Sequence, residues 1–118
     1  MSRDSRLYLD DIVDYAGRAL RYCEGLSYEQ FLADQRTYDA TLRCLEIVGE
    51  AVKKLPVHVR ELAPAVPWRQ IAGFRDRLAH GYSELDDEIV WSVVQHQLAP
   101  LRDEADRLRR DPALGPTS

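Results

Sequence analysis

The chain has 118 residues, enough for one hydrophobic core and too few for two. Hydrophobic residues make up 45% and charged residues 31%, the balance of an ordinary soluble protein. Sixteen Lys and Arg against twenty Asp and Glu leave a net charge of −4. That argues against a protein that coats nucleic acid nonspecifically, so any polyanion site must be a local basic patch. The first helix is expected from Arg6 to Glu24. Tyr8, Ile12, Tyr15, Ala19 and Tyr22 form one stripe, and Leu9, Val13, Ala16, Leu20 and Cys23 an adjacent one. The arc they make is wide enough for two neighbours. Tyrosines at this spacing read as core edges with their hydroxyls in water rather than as a row for stacking bases. Gly25 closes the helix.

Ser27 followed by Gln30 is a capping box, which predicts a short helix from Tyr28 to Ala33. Asp34 can cap the next. A long third helix is expected from Arg36 to Leu55, with Thr41, Leu45, Val48, Val52 and Leu55 inward. Gly49 on this helix admits the close approach of another backbone. Glu46 and Glu50 lie one turn apart, with Arg43 and Lys54 in pairing range. A di-metal site would need Glu-x-x-His on partner helices, and the sequence has no such tetrapeptide. Surface pairing, or a polar contact across a helix interface, fits these carboxylates better.

Pro56 to Pro67 is irregular, with a helical turn expected within Val59–Ala63 and His58 in a loop. A central helix then runs from Pro67 to Ala79, because proline suits a first helical turn. Trp68, Ile71, Phe74 and Leu78 mark its buried face, and Gly81 closes it. Asp86 and Asp87 offer the start of the last helix, whose stripe is Val90, Val94, Leu98, Leu101, Ala105 and Leu108. Pro100 should kink it, since proline removes a backbone bond and crowds the preceding turn. His96 should be exposed. Residues 1–110 are thus expected as one helical domain and 111–118 as a mobile tail. No strand pattern or internal repeat is visible. The fold expected is all-α: an up-and-down bundle of four main helices plus a short one. Several apolar arcs are wider than one neighbour requires, which favours a homodimer. Cys23 and Cys44 read as reduced core residues. No targeting, spanning or acylation motif is visible, and the expected location is the cytoplasm.

Arg75, Asp76, Arg77, His80 and Tyr82 gather around the end of the central helix. Arg75 carries a permanently charged fork suited to phosphate, and His80 can give or take a proton near neutrality. On an ideal helix they lie about 140° apart and ~7.5 Å along the axis. They can converge if the helix ends at His80 and the backbone turns at Gly81. On the bare residue types a blander account comes first: cations in a last helical turn simply meet the negative end of the helix dipole.

Arg75-Asp76-Arg77-Leu78-Ala79-His80-Gly81-Tyr82 resembles the Arg-x4-His-x-Tyr signature of the HepT-like ribonuclease branch of the HEPN superfamily. Three other blocks are similar to that branch in the same order. They are Arg36–Asp39 leading into Leu45–Ala51, then Pro67–Gly73, then Ile89–Trp91. The likeness spans roughly Arg6 to Leu108. The chain departs from the pattern at Cys44, where Asn is expected near the cleft, and at Asp76, where Asn is common.

The resemblance implies the toxin of a type VII-like toxin–antitoxin pair. It further implies an RNA substrate, a homodimer with a shared cleft, and a nucleotidyltransferase antitoxin as partner. No membrane association is expected, and no metal or other cofactor. RNA supplies its own 2′-hydroxyl nucleophile, so a metal is not required to make one. His80 would transfer protons and Arg75 would hold the phosphate, with Asp76 and Arg77 in support. Products would end in 2′,3′-cyclic phosphate. Tyr82 would be the residue adenylylated to silence the toxin. The same resemblance permits a non-catalytic subunit that presents a nucleotide or RNA site to the nucleotidyltransferase.

Overall fold

The carboxylate of Asp4 accepts the Arg6 amide at 2.8 Å and so starts the first helix, α1 (Ser5–Cys23). The computed structural model describes residues 4–79 and 86–115. Gly25, at φ 77°, turns the chain after α1 in the left-handed region that glycine enters without strain. Ser27 and Gln30 then cap each other reciprocally, and α2 spans Tyr28–Ala33. Asp34 closes α2 and opens α3 (Gln35–Lys54) through its bond from the Thr37 amide. These boundaries agree with the sequence signals within two residues.

Pro56 sets the next element, the single turn α4 (Val57–Arg60). The turn expected at Val59–Ala63 therefore starts two residues earlier, and His58 lies on it rather than in a loop. Proline's fixed φ places Pro56 just ahead of a helical turn, which then begins at once. Trp68 opens α5 (Trp68–Ala79), and Pro67 contributes its carbonyl to the Ile71 amide instead of joining the helix. The Trp68 indole N–H is shared between the Arg60 and Ala63 carbonyls at 3.1 and 3.0 Å, which fastens the irregular stretch to α5.

After Asp86, whose carboxylate caps its first turn, α6 (Asp87–Ser92) continues through a π turn (Val93–Gln97) into α7 (Leu98–Arg109). The interruption expected from Pro100 takes this form. Proline has no N–H for the His96 carbonyl, and its ring crowds that carbonyl. The Leu98 amide instead donates to Val93, five residues back. The stripe explains the location. Val90, Val94 and Leu98 are spaced by four, and each step overshoots a 3.6-residue turn by about 40°. The wider π turn absorbs the extra residue, and all three side chains stay buried.

Four rods result: α1, α3, α5 and the continuous α6–α7, with the short α2 beside them. Among the described residues there is no strand. α1 packs on both α3 and α7, and α3 packs on α5. Leu9, Ile12, Ala16, Leu42, Leu45, Val48, Val52, Leu98, Ala105 and Leu108 fill the shared core. Tyr8 and Tyr15 pack at its edge, and Tyr22 is exposed. Phe31 stacks between Tyr38 and Trp91, with ring centres 5.3 and 5.0 Å away, and the Tyr38 hydroxyl donates to Asp87. That cluster ties the start of α6 to α2 and α3. At the other end Arg109 pairs with Asp10 at 2.9 Å, and Arg6 donates to the Gly115 carbonyl. Pro112–Leu114 forms a 3-10 turn, with Leu114 packed against the core. Among the described residues no helix is long and apolar enough to cross a membrane.

Candidate active site around Arg75

Gly49 decides where α5 can sit. A Cβ at this position would lie 2.2 Å from the Arg75 Cβ and 2.6 Å from its Cγ, far inside any real contact. Only glycine lets α5 come this close, so the root of Arg75 is seated directly on the α3 backbone. The expected close approach at Gly49 is thus found, and what approaches is Arg75. Gly73, on α5, differs: among the described residues a Cβ there would meet nothing within 4 Å.

The next residue of α3 takes the head group. Glu50 Oε2 lies 2.9 Å from Arg75 Nη2, and Asp76 Oδ1 lies 3.5 Å from Nη1. Asp76 in turn accepts from Lys53 Nζ at 2.7 Å. Lys53 chiefly, and then Arg75, hold the Asp76 carboxyl below its ordinary value. Lys54 Nζ stands 3.9 Å from Glu50 Oε1. Arg75 remains 30% exposed and lines a cleft of about 240 Å³ together with Tyr8, Asp11, Arg43, Glu46 and Lys54. Both readings of the two glutamates therefore apply, one to each. Glu46 pairs along its helix with Arg43 at 3.0 Å, and Glu50 reaches across to α5.

The structure brings Arg75 and Asp76 together but sends Arg77 elsewhere. Two residues turn a helix by about 200°, so Arg77 lies on the far side of α5 from Arg75. There it edges an apolar cleft of about 390 Å³ lined by Leu45, Val48, Ile71, Phe74 and Val93. Arg69 lies farther back, in a shallow depression beside Arg60 and Trp68. His80 and Tyr82 lie outside the described residues. His96 is exposed on the π turn, as expected. Cys44 is buried against α1, and burial pushes its thiol up; the charged groups acting on it are Arg18, Asp14 and Arg21 of α1. Its departure from the family pattern thus falls on the α1–α3 interface. Cys23 is also buried, 3.4 Å from the Thr41 hydroxyl, and its thiol is likewise raised by burial. Both cysteines are free. Among the described residues no three His, Cys, Asp or Glu side chains converge on a metal-sized site.

Sequence reading did not name the Glu50–Arg75 pair. Glu50 already had an in-helix cation at i+4, and a partner 25 positions away leaves no spacing to read. The one signal was Gly49, which announced a close contact without naming its partner.

A family profile described as Ribonuclease HepT-like matches residues 12–108, which include α3, α5 and every candidate site residue. The probable ribonuclease HepT of Thermococcus cleftensis is 34% identical over 110 residues, 93% of this chain and 100% of its own. A protein of Methanocaldococcus jannaschii named a putative RNase is also 34% identical, over 92% of this chain and 90% of its own. Another so named, from Caldanaerobacter subterraneus, is 38% identical over 81% and 86%. No solved structure matches the chain significantly. With the profile covering most of its length, the chain belongs to the HepT-like ribonuclease family.

Proposed function

We propose that this chain is a metal-independent endoribonuclease, the toxin of a toxin–antitoxin pair. The observation that carries the reading is the family match across residues 12–108; within that span the run from Arg75 to Tyr82 resembles the Arg-x4-His-x-Tyr signature. Arg75 holds the oxygens of the scissile phosphate through its planar fork. His80 moves the proton. The bond that forms joins the 2′-oxygen to phosphorus, and the bond that breaks joins phosphorus to the 5′-oxygen. The 2′-hydroxyl proton is taken by a base and a proton is delivered to the leaving oxygen. The products are a 2′,3′-cyclic phosphate and a 5′-hydroxyl. In a homodimer that joins two copies of the site at one cleft, one His80 serves as base and the other as acid. Asp76, paired with both Lys53 and Arg75, keeps the cation aligned. Arg77, on the other side of α5, adds charge toward more distant phosphates.

The test is incubation of purified protein with RNA in EDTA. Cleavage with cyclic-phosphate ends supports the reading. Binding without cleavage assigns the chain to the non-catalytic alternative, a subunit presenting RNA or a nucleotide to a nucleotidyltransferase. Sedimentation at micromolar concentration should give a dimer burying more than about 1,000 Å². A monomer would remove the shared-cleft mechanism.

Regulation belongs to the same proposal. Tyr82 is the residue that a partner nucleotidyltransferase adenylylates. Its oxygen attacks the α-phosphorus of ATP, and pyrophosphate leaves. The added group places a bulky nucleotide and a negative phosphate beside Arg75, where they exclude and repel RNA. Protein co-expressed with the partner should gain the mass of one AMP group, and the Tyr82→Phe protein should gain none. An AMP-sized increase that persists in Tyr82→Phe places the modification elsewhere.

A further inference from the structure

Arg75 does not stand bare in its cleft. Its Cβ and Cγ lie against Gly49, so only the outer part of the side chain is free to swing. Two carboxylates hold that outer part, and they are unequal. Asp76 lies 3.5 Å away and shares the same oxygen with Lys53 at 2.7 Å. Glu50 lies 2.9 Å away, while its other cation, Lys54, stands back at 3.9 Å. Glu50 is the chief partner of Arg75.

On the reading that Arg75 binds RNA phosphate, we infer that Glu50 is the positioning residue of that site and the internal anion with which the phosphate exchanges. A carboxylate and a phosphate use the same N–H edges of a guanidinium and therefore compete for them. In the empty protein Glu50 aims the fork. When phosphate arrives, the displaced carboxylate has Lys54 one turn along α3, so it is not left repelling the new anion. Glu50 thus aligns Arg75 and weakens RNA binding at the same time. The pair is half exposed and screened, which limits the effect to a few-fold.

The experiment is a double-mutant cycle on binding. The probe is a 2′-O-methyl RNA oligonucleotide, which cannot be cut, and Kd is read by anisotropy at fixed low salt. Glu50→Gln, nearly isosteric, should tighten Kd about two- to fivefold. In an Arg75→Gln background it should change nothing. If Glu50→Gln does not fold, Glu50→Asp, too short to span to Arg75, gives the same comparison. With cleavable RNA, Glu50→Gln should lower KM and kcat together, a split that mere loss of stability does not produce. An unchanged or weaker Kd overturns the inference. So does equal tightening in both backgrounds, which would reflect only the loss of one negative charge. Wild-type protein that binds the probe yet leaves unmodified RNA intact removes the ribonuclease reading and leaves this result standing. Wild-type protein that does not bind the probe overturns both.

Discussion

Alanine at Arg75 is expected to lower the rate of RNA cleavage by roughly 10²–10³-fold and to leave the bundle folded. The rate falls because charge that builds on phosphorus loses its cation. The fold survives because alanine keeps the Cβ that rests on Gly49, and the Glu50 carboxylate it abandons still has Lys54 nearby. His80→Ala should cost a similar or larger factor, roughly 10²–10⁴-fold, and should flatten the pH profile near neutrality. Both rates are measured on one defined RNA in EDTA, with circular dichroism as the control for folding. His80→Ala protein that cuts at the wild-type rate would mean that another group moves the proton, and the assignment would fall.

The second large effect is on stability, and its sign depends on which glycine is changed. Gly49→Ala gains helix propensity worth up to about 1 kcal/mol. Against that stands a methyl group driven to 2.2 Å from a Cβ that cannot move without its helix. Overpacking of this kind costs about 1–3 kcal/mol, and at 2.2 Å the cost falls at the upper end. The clash wins. Tm should fall by several degrees, roughly 4 °C or more for each kcal/mol in a domain of this size. Because α5 must lift where Arg75 is rooted, RNA cleavage should fall with it. Gly73→Ala carries only the propensity gain, since nothing among the described residues occupies its space, and should raise Tm by a few degrees. Paired thermal melts read both signs at once. A Gly73→Ala protein that melts below wild type would mean that a group outside the described residues, or another molecule, packs on that face of α5.

The parts of the fold legible in the sequence are those set by neighbours along the chain. The capping box at Ser27 and Gln30, the cap at Asp34 and the turn at Gly25 each need only a few residues, and each is found where its residues predict. The inward stripes of α1 and α3 were readable for the same reason. What was not legible depends on groups distant in sequence. Glu50 had a satisfactory partner in its own helix, so nothing local pointed to Arg75. That Arg75 and Arg77 part company was available from helix geometry, because two residues reverse a face, yet the motif invites grouping them. The start of α4 is hidden in the sequence because three prolines in twelve residues mask the one, Pro56, that opens a helical turn. The spacing by fours at Val90, Val94 and Leu98 signalled the π turn, but it resembles ordinary helical spacing until two such steps are added.

That π turn sets a phase. It carries one residue more than an α-helix of the same rise, which offsets the azimuth of α6 from that of α7 by about 100°. The α7 end is clamped to α1 by Leu98, Ala105 and Leu108 and by the Arg109–Asp10 pair. The α6 end answers to different neighbours: the rings of Trp91 and Phe31 and the bond from Tyr38 to Asp87. A strictly α-helical rod could satisfy one set of neighbours only at the expense of the other. The extra residue uncouples them, so the placement of α6 is fixed by α2 and α3 and not by the distant end of the rod.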